Sequence, residues 1–150
     1  MTSPAFALRP YRPDDEDAAI ELWRRTWQKA YPRIDFAERV AWWRQRWREE
    51  LVPQARIVVA AAGAELIGFV TVDGKGYLDQ IVVAPERWGQ GAAEALVAEA
   101  KRLSPQALDL LVNKDNARAI RFYQKHGFVL AGDDVNPVSG KPVYRMTWRP

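Results

Sequence analysis

The 150-residue sequence predicts an α/β fold, a mixed and mostly antiparallel central sheet flanked by helices. Three observations predict it. Apolar and Trp residues recur at helical spacing through the first third; three β-branched runs then follow one another across short Gly-containing turns; and a strand–turn–helix–strand unit in the middle supplies one parallel pair. A composition of 48% hydrophobic and 27% charged residues fits one domain over residues 1–150 with a single sizeable core.

Ala5 to Arg9 reads as a first strand, and the acidic run Asp14-Asp15-Glu16-Asp17 marks the N-terminus of a first helix with Ala19, Leu22, Trp23, Trp27 and Ala30 on one face. That helix ends near Tyr31-Pro32. A second carries Val40, Trp43 and Trp47 inward and Arg39, Arg46 and Glu50 towards solvent. The runs Arg56–Ala61, Leu66–Val72 and Tyr77–Ala84 form an antiparallel meander through Gly63 and the Asp73-Gly74-Lys75-Gly76 turn. After Pro85 and the turn Trp88-Gly89-Gln90-Gly91 comes a helix with Ala93, Leu96, Val97, Ala100 and Leu103 on one face, ended by Ser104-Pro105. Ala107–Val112 is a further strand. Asn113 to Asn116 opens a helix that reaches about His126 and stops at Gly127, and the strands Phe128–Ala131 and Val143–Trp148 flank a final polar loop.

Composition removes several kinds of chemistry. Without Cys there is no disulfide framework, no Cys-based zinc site and no thiol nucleophile. The single His, His126, cannot form a His-pair metal site, so no metal is expected, and its place near a helix end suggests a solvated ring. The N-terminal stretch lacks the apolar run of a signal peptide and no segment is long enough to span a bilayer, which predicts a cytoplasmic protein with no membrane partner. A net charge of +3 is far from a nucleic-acid-binding stripe; only Arg44, Arg46 and Arg48 with their Trp neighbours could support such a surface, and no nucleic-acid partner is expected.

Two short elements carry the functional signal. In Gly89-Gln90-Gly91-Ala92-Ala93, a strand runs through two glycines into a helix whose first amides lack intrahelical partners, an arrangement suited to a pyrophosphate. Neither the P-loop nor the dinucleotide-binding pattern is present. In the second, Asn116 and Tyr123 stand two turns apart on one helix face, roughly 10 Å along the axis, and can line one groove. Taken alone, the first element reads more simply as a tight turn, and the second as an N-cap, packed aromatics and a C-terminal glycine.

Together they resemble the GNAT superfamily of N-acetyltransferases, through Val83-Ala84-Pro85, then Gly89-Gln90-Gly91-Ala92-Ala93, then Asn116-x-x-Ala119-Ile120-x-Phe122-Tyr123-x-Lys125-x-Gly127-Phe128. The resemblance implies acetyl-CoA as cosubstrate. It implies that the strand before the turn splays from the next parallel strand, so that Ile81, Val82 and Val83 pair with the pantetheine arm. The pyrophosphate would lie on the amides of Trp88, Gly89, Gln90, Gly91, Ala92 and Ala93, with Glu94 just beyond. Asn116 would lie beside the pantetheine and Tyr123 beside the thioester sulfur. One departure stands out: the family pattern has Arg or Gln where this chain has Trp88, and Arg87 one place earlier could compensate.

The implied reaction is direct attack of a neutral primary amine on the thioester, with a backbone N–H of Val82 or Val83 on the developing oxyanion and Tyr123 donating to the leaving thiolate. Asp79, alternating onto the same side of its strand as Ile81 and Val83, is the candidate base. A small-molecule or peptide amine is the expected acceptor, walled by Trp23, Trp27, Tyr31, Trp42, Trp43, Trp47 and the segment Asp133 to Lys141, where Asp133 and Asp134 could attract a cation. The apolar C-terminal strands point to a homodimer. The alternative is a non-catalytic acyl-CoA-binding or regulatory module on the same fold.

Overall fold

The computed structural model describes residues 5–137 and 139–150. Strand β1 (Ala7–Pro10) leads through a short turn into α1 (Glu16–Ala30). Helix α2 (Val40–Arg46) runs on through a π-helical turn, Trp47–Leu51, into the short α3 (Val52–Gln54). Strands β2 (Ala55–Ala62), β3 (Glu65–Asp73) and β4 (Leu78–Val83) make the meander; α4 (Ala92–Leu103), β5 (Leu108–Asn113), α5 (Ala117–Lys125), β6 (Val129–Val135) and β7 (Pro142–Trp148) complete the chain.

The strands form two antiparallel sheets, ordered β1-β2-β3-β4 and β5-β7-β6. The parallel pair expected between β4 and β5 is reduced to one bridge, Tyr77 with Asp109. Strand β6 runs to Val135, so Asp133 and Asp134, expected in a loop, are strand residues opposite Tyr144 and Val143. Pairing with β7 overrides the poor strand propensity of two consecutive Asp. At the sheet edge β6 exposes Val129, Leu130 and Val135.

Each face of the first sheet carries its own core. On one, α4 and α5 bury Leu96, Val97, Ala100 and Tyr123 against Ile67, Val70, Leu78 and Val83. On the other, α1 and α2 bury Leu22, Trp23, Trp43 and Trp47 against Val59, Phe69 and Val82. The rings interlock: Trp23 stacks on Trp43 with centroids 4.6 Å apart, and Trp47 meets Phe69 edge-on at 5.2 Å. Trp23, Trp43 and Trp47 are therefore core residues and not acceptor wall, since indoles this large bury enough apolar area to dominate a small core. Among the described residues, no helix is long and apolar enough to cross a membrane.

Ion pairs reshape the polar face of α2. Arg44 and Arg48 bind Glu16, Arg44 also binds Asp17, and Arg46, expected in solvent, pairs with Asp79 and Glu50. The basic trio is thus neutralised by carboxylates of the same chain. At the start of α1, Asp15 accepts two bonds of 2.8 Å from Arg9 and one from the Arg12 amide. The Arg9 hydrogen bonds, foremost, hold the Asp15 carboxyl below its ordinary range.

Two predictions follow from the packing. A Cβ on Gly68 in β3 would lie 2.8 Å from the Val82 carbonyl oxygen and 3.1 Å from Leu96 Cδ1, so Gly68→Ala should cost about 1–3 kcal/mol in urea unfolding; an unchanged midpoint would mean that α4 does not need the gap. Because the Asp15 pKa is lowered on folding, its contribution is complete above about pH 4, the unfolded value, and is lost as pH falls through the folded one. The melting-temperature gap between wild type and Arg9→Met should therefore be widest above pH 5 and shrink in acid; a gap independent of pH would count against the pairing.

Candidate active site

The parting of β4 and β5 creates the cleft. The strands touch where the Asp109 N–H donates to the Gly76 carbonyl at 2.9 Å, and Gly76 permits this approach: its φ is +83°, and a Cβ there would sit 2.8 Å from the Ala107 carbonyl oxygen. Beyond that point β5 pairs with β7 and leaves one edge of β4 open. Ala84 N–H bonds Ile67 on β3, so ladder alternation turns Val82 towards β3 and the amides of Ile81 and Val83 towards the opening. The Val83 carbonyl accepts from the Trp88 indole N–H at 2.8 Å.

At the wide end of the cleft lies the glycine turn. Gly89 and Gly91 have φ of +79° and +95°, and nothing lies within 4 Å of where their Cβ atoms would be. Gly91 is the N-cap of α4 and offers no side-chain acceptor, so the first amides of the helix, on Ala92, Ala93 and Glu94, are left without intrahelical partners. Gln90 reaches back to the Glu86 carbonyl, and Glu94 is exposed in the first turn. This donor set in open space matches the chemistry of a pyrophosphate. Trp88, which replaces the usual Arg or Gln, braces the turn through its bond to Val83, and Arg118 of α5 lies over its ring. Sequence reading missed Arg118, because the contact joins residues thirty positions apart.

Helix α5 forms the other wall. The Asn116 side chain caps it, accepting from the Ala119 amide at 3.2 Å, which leaves its NH2 group free of that role. Tyr123 follows two turns later, buried between Phe122 and Phe128 with each centroid 5.6 Å from its own. Burial, and secondarily the neighbouring Tyr77, push its hydroxyl well above the ordinary tyrosine range. The expectation of a solvated His126 does not hold: the ring packs on Phe122 at 4.6 Å, Nε2 is buried without a hydrogen-bond partner, and burial holds its pKa down.

Asp79 occupies a position the alternation rule misplaces. Thr71 pairs with Gln80 and Val72 with Leu78, so Asp79 is the extra residue of a β-bulge. The bulge resets the parity of β4: Ile81 and Val83 face the α4 core, whereas Asp79 reaches α2 and binds the Arg46 guanidinium through both oxygens, one at 3.0 Å. On this side two cavities share Tyr77 as a wall. One, about 300 Å³, is lined by Arg46, Glu50, Asp73 and Asp79; the other, about 540 Å³, by Asp109, Leu111, Asp134, Arg145 and Thr147. Tyr31, stacked on Trp27, spans from α1 to the start of α5: its hydroxyl donates to Asp115 at 2.8 Å and accepts from Asn113 at 2.9 Å, while Lys141 lies over its ring. Burial foremost pushes the Tyr31 hydroxyl up to about 12.

Residues 16–128 match the Acetyltransferase (GNAT) family. The chain is 31% identical over 140 residues to peptidyl-lysine N-acetyltransferase YjaB of Salmonella typhimurium, covering 90% of this chain and 91% of that one. It is 32% identical over 145 residues to the mycothiol acetyltransferase of Kineococcus radiotolerans, of which it spans 46%. Among solved structures, apo YjaB of Escherichia coli superimposes with a TM-score of 0.75 at 26% identity, covering 95% of this chain and 97% of that one. An N-acetyltransferase of Thermoplasma acidophilum in complex with coenzyme A gives 0.79 at 21% identity, covering 97% and 99%, a likeness of fold. With a family match over most of its length and a relative of 31% identity that is an N-acetyltransferase, the chain belongs to the GNAT family of acetyltransferases.

Proposed function

We propose that the chain transfers an acetyl group from acetyl-CoA to a primary amine by direct attack, and that its acceptor is the lysine side chain of a peptide. The observation that carries this reading is the open edge of β4, with the glycine turn at one end and Tyr123 beside the vertex. The backbone groups of Ile81 and the N–H of Val83 face the open edge and suit an amide-bearing arm, the turn from Trp88 to Glu94 offers amides to a pyrophosphate, and the Asn116 NH2 is not used in its cap. The YjaB relative is a peptidyl-lysine N-acetyltransferase, which supports lysine as the acceptor class.

In this reading the neutral amine bonds to the thioester carbonyl carbon as the carbonyl π pair moves to oxygen, and the return of that pair breaks the carbon–sulfur bond and expels the thiolate. The Val83 or Ile81 N–H stabilises the oxyanion. Burial keeps Tyr123 protonated across the neutral range, so it meets the departing thiolate as a donor, and the proton lost by the amine returns to it through solvent. Asp79 gives both oxygens to Arg46, so a direct base role would require breaking that pair; holding the π-turn of α2 on β4 is the role its contacts support.

Replacing Gly91 by Glu should weaken coenzyme A binding at least tenfold by calorimetry, through strain at positive φ and a like charge at the turn; Ala93→Glu tests the charge without the strain. Unchanged affinity in both folded variants would move the cofactor elsewhere. Tyr123→Phe should lower turnover about 100- to 10,000-fold with coenzyme A affinity nearly unchanged. Turnover within a few fold of wild type would remove Tyr123 from the proton transfer.

A further inference from the structure

The first turn of α5 places a cation where local electrostatics disfavours one. Arg118 is its second residue, no acidic residue shares that turn, and a guanidinium there faces the positive end of the helix dipole. Among the described residues no carboxylate forms an ion pair with it. Its guanidinium lies instead over the Trp88 indole, 3.9 Å from the ring centroid. Trp88 is fixed in turn by its bond to the Val83 carbonyl and stands immediately before Gly89. The stack therefore brings the first turn of α5 to the uncapped start of α4.

The carboxylates nearest the glycine turn in the chain are Glu86 and Glu94. Glu86 is engaged by Arg25, and Glu94, exposed in the first turn of α4, makes no ion pair with Arg118 among the described residues. A chain that sets a guanidinium against a helix dipole, without a carboxylate, has left a local conflict of the kind that marks a binding site. Guanidinium chemistry suits the place: one face can stack on an indole while the N–H edge remains free for two oxygens of a phosphate, which an ammonium cannot do.

We propose that Arg118, held on the face of Trp88, is a cofactor-binding residue that contacts the pyrophosphate of coenzyme A, and so returns from α5 the cation that position 88 lacks. This rests on the reading that coenzyme A binds at the glycine turn. Trp88 is then the platform that positions the cation, and its presence in place of Arg or Gln is compensated across space and not by Arg87.

The test is calorimetry of wild type, Arg118→Ala, Arg118→Lys, Trp88→Ala and the double alanine variant with three probes: coenzyme A, 3′-dephospho-coenzyme A and pantetheine. Arg118→Ala should weaken coenzyme A about 10- to 100-fold, the range of a charged hydrogen-bonded contact. The same loss should appear with the dephospho form and none with pantetheine, while Arg118→Lys restores only part of the affinity. The double variant should lose less than the product of the single losses, because removing the platform already misplaces the cation. Unchanged coenzyme A affinity in Arg118→Ala overturns the proposal. A loss that vanishes with the dephospho form puts the contact at the 3′-phosphate and overturns the pyrophosphate assignment, and a loss that extends to pantetheine reveals general distortion and overturns it too. Failure of wild type to bind coenzyme A, with pantetheine still bound, would overturn the cofactor site itself.

Discussion

Backbone groups on a strand edge must find partners, and the cleft exists because β4 is denied them on one side. A parallel neighbour would ordinarily satisfy the amides of Ile81 and Val83. Here β5 leaves β4 after the Tyr77–Asp109 bridge and gives its hydrogen bonds to β7 along its whole length. The cost of an open edge is an edge that can pair with something else, and an extended arm carrying amides is chemically suited to it. The glycine turn, Asn116 and Tyr123 all derive their relevance from bordering this gap.

Holding two strands apart requires rigid supports on both faces. On one, α4 seats Leu96 against β3 at Gly68, and α5 packs Tyr123 against Phe128. On the other, the Trp23–Trp43–Trp47 cluster carries α1 and α2 as a unit, pinned at β4 by Arg46 and Asp79. The π-helical turn at Trp47–Leu51 interrupts the regular helix where Arg46 must meet a strand bulge, and irregularities of this kind recur at functional sites. Further out, Tyr31 ties the end of α1 to Asn113 and Asp115. The link joins the end of α1 and the end of β5 to the loop before α5, with Lys141 from the loop before β7 laid over the Tyr31 ring.

What was legible in advance follows the range of the physics involved. Helical spacing of Leu and Trp, β-branched runs, the glycine turn and the two-turn separation of Asn116 from Tyr123 are properties of neighbouring residues, and local backbone geometry translates them directly into helices, strands and a shared helix face. The acidic start of α1 and the Gly127 stop of α5 belong to the same class. So the order of elements, the glycine turn and the family resemblance were available from the amino acids alone.

Tertiary packing decided the rest, because the deciding partners are far apart in the chain. The bulge at Asp79 depends on register with β3; the partial burial of Arg46 depends on where a π-turn meets that bulge; and the length of β6 depends on β7. In the sequence Trp88 is only a departure from the family pattern, and tertiary packing is what lays Arg118 over its ring. Spacing along a helix or strand determines which side chains share a face, whereas register, splay and the contacts between distant elements determine which of those faces meet and what chemistry they can share.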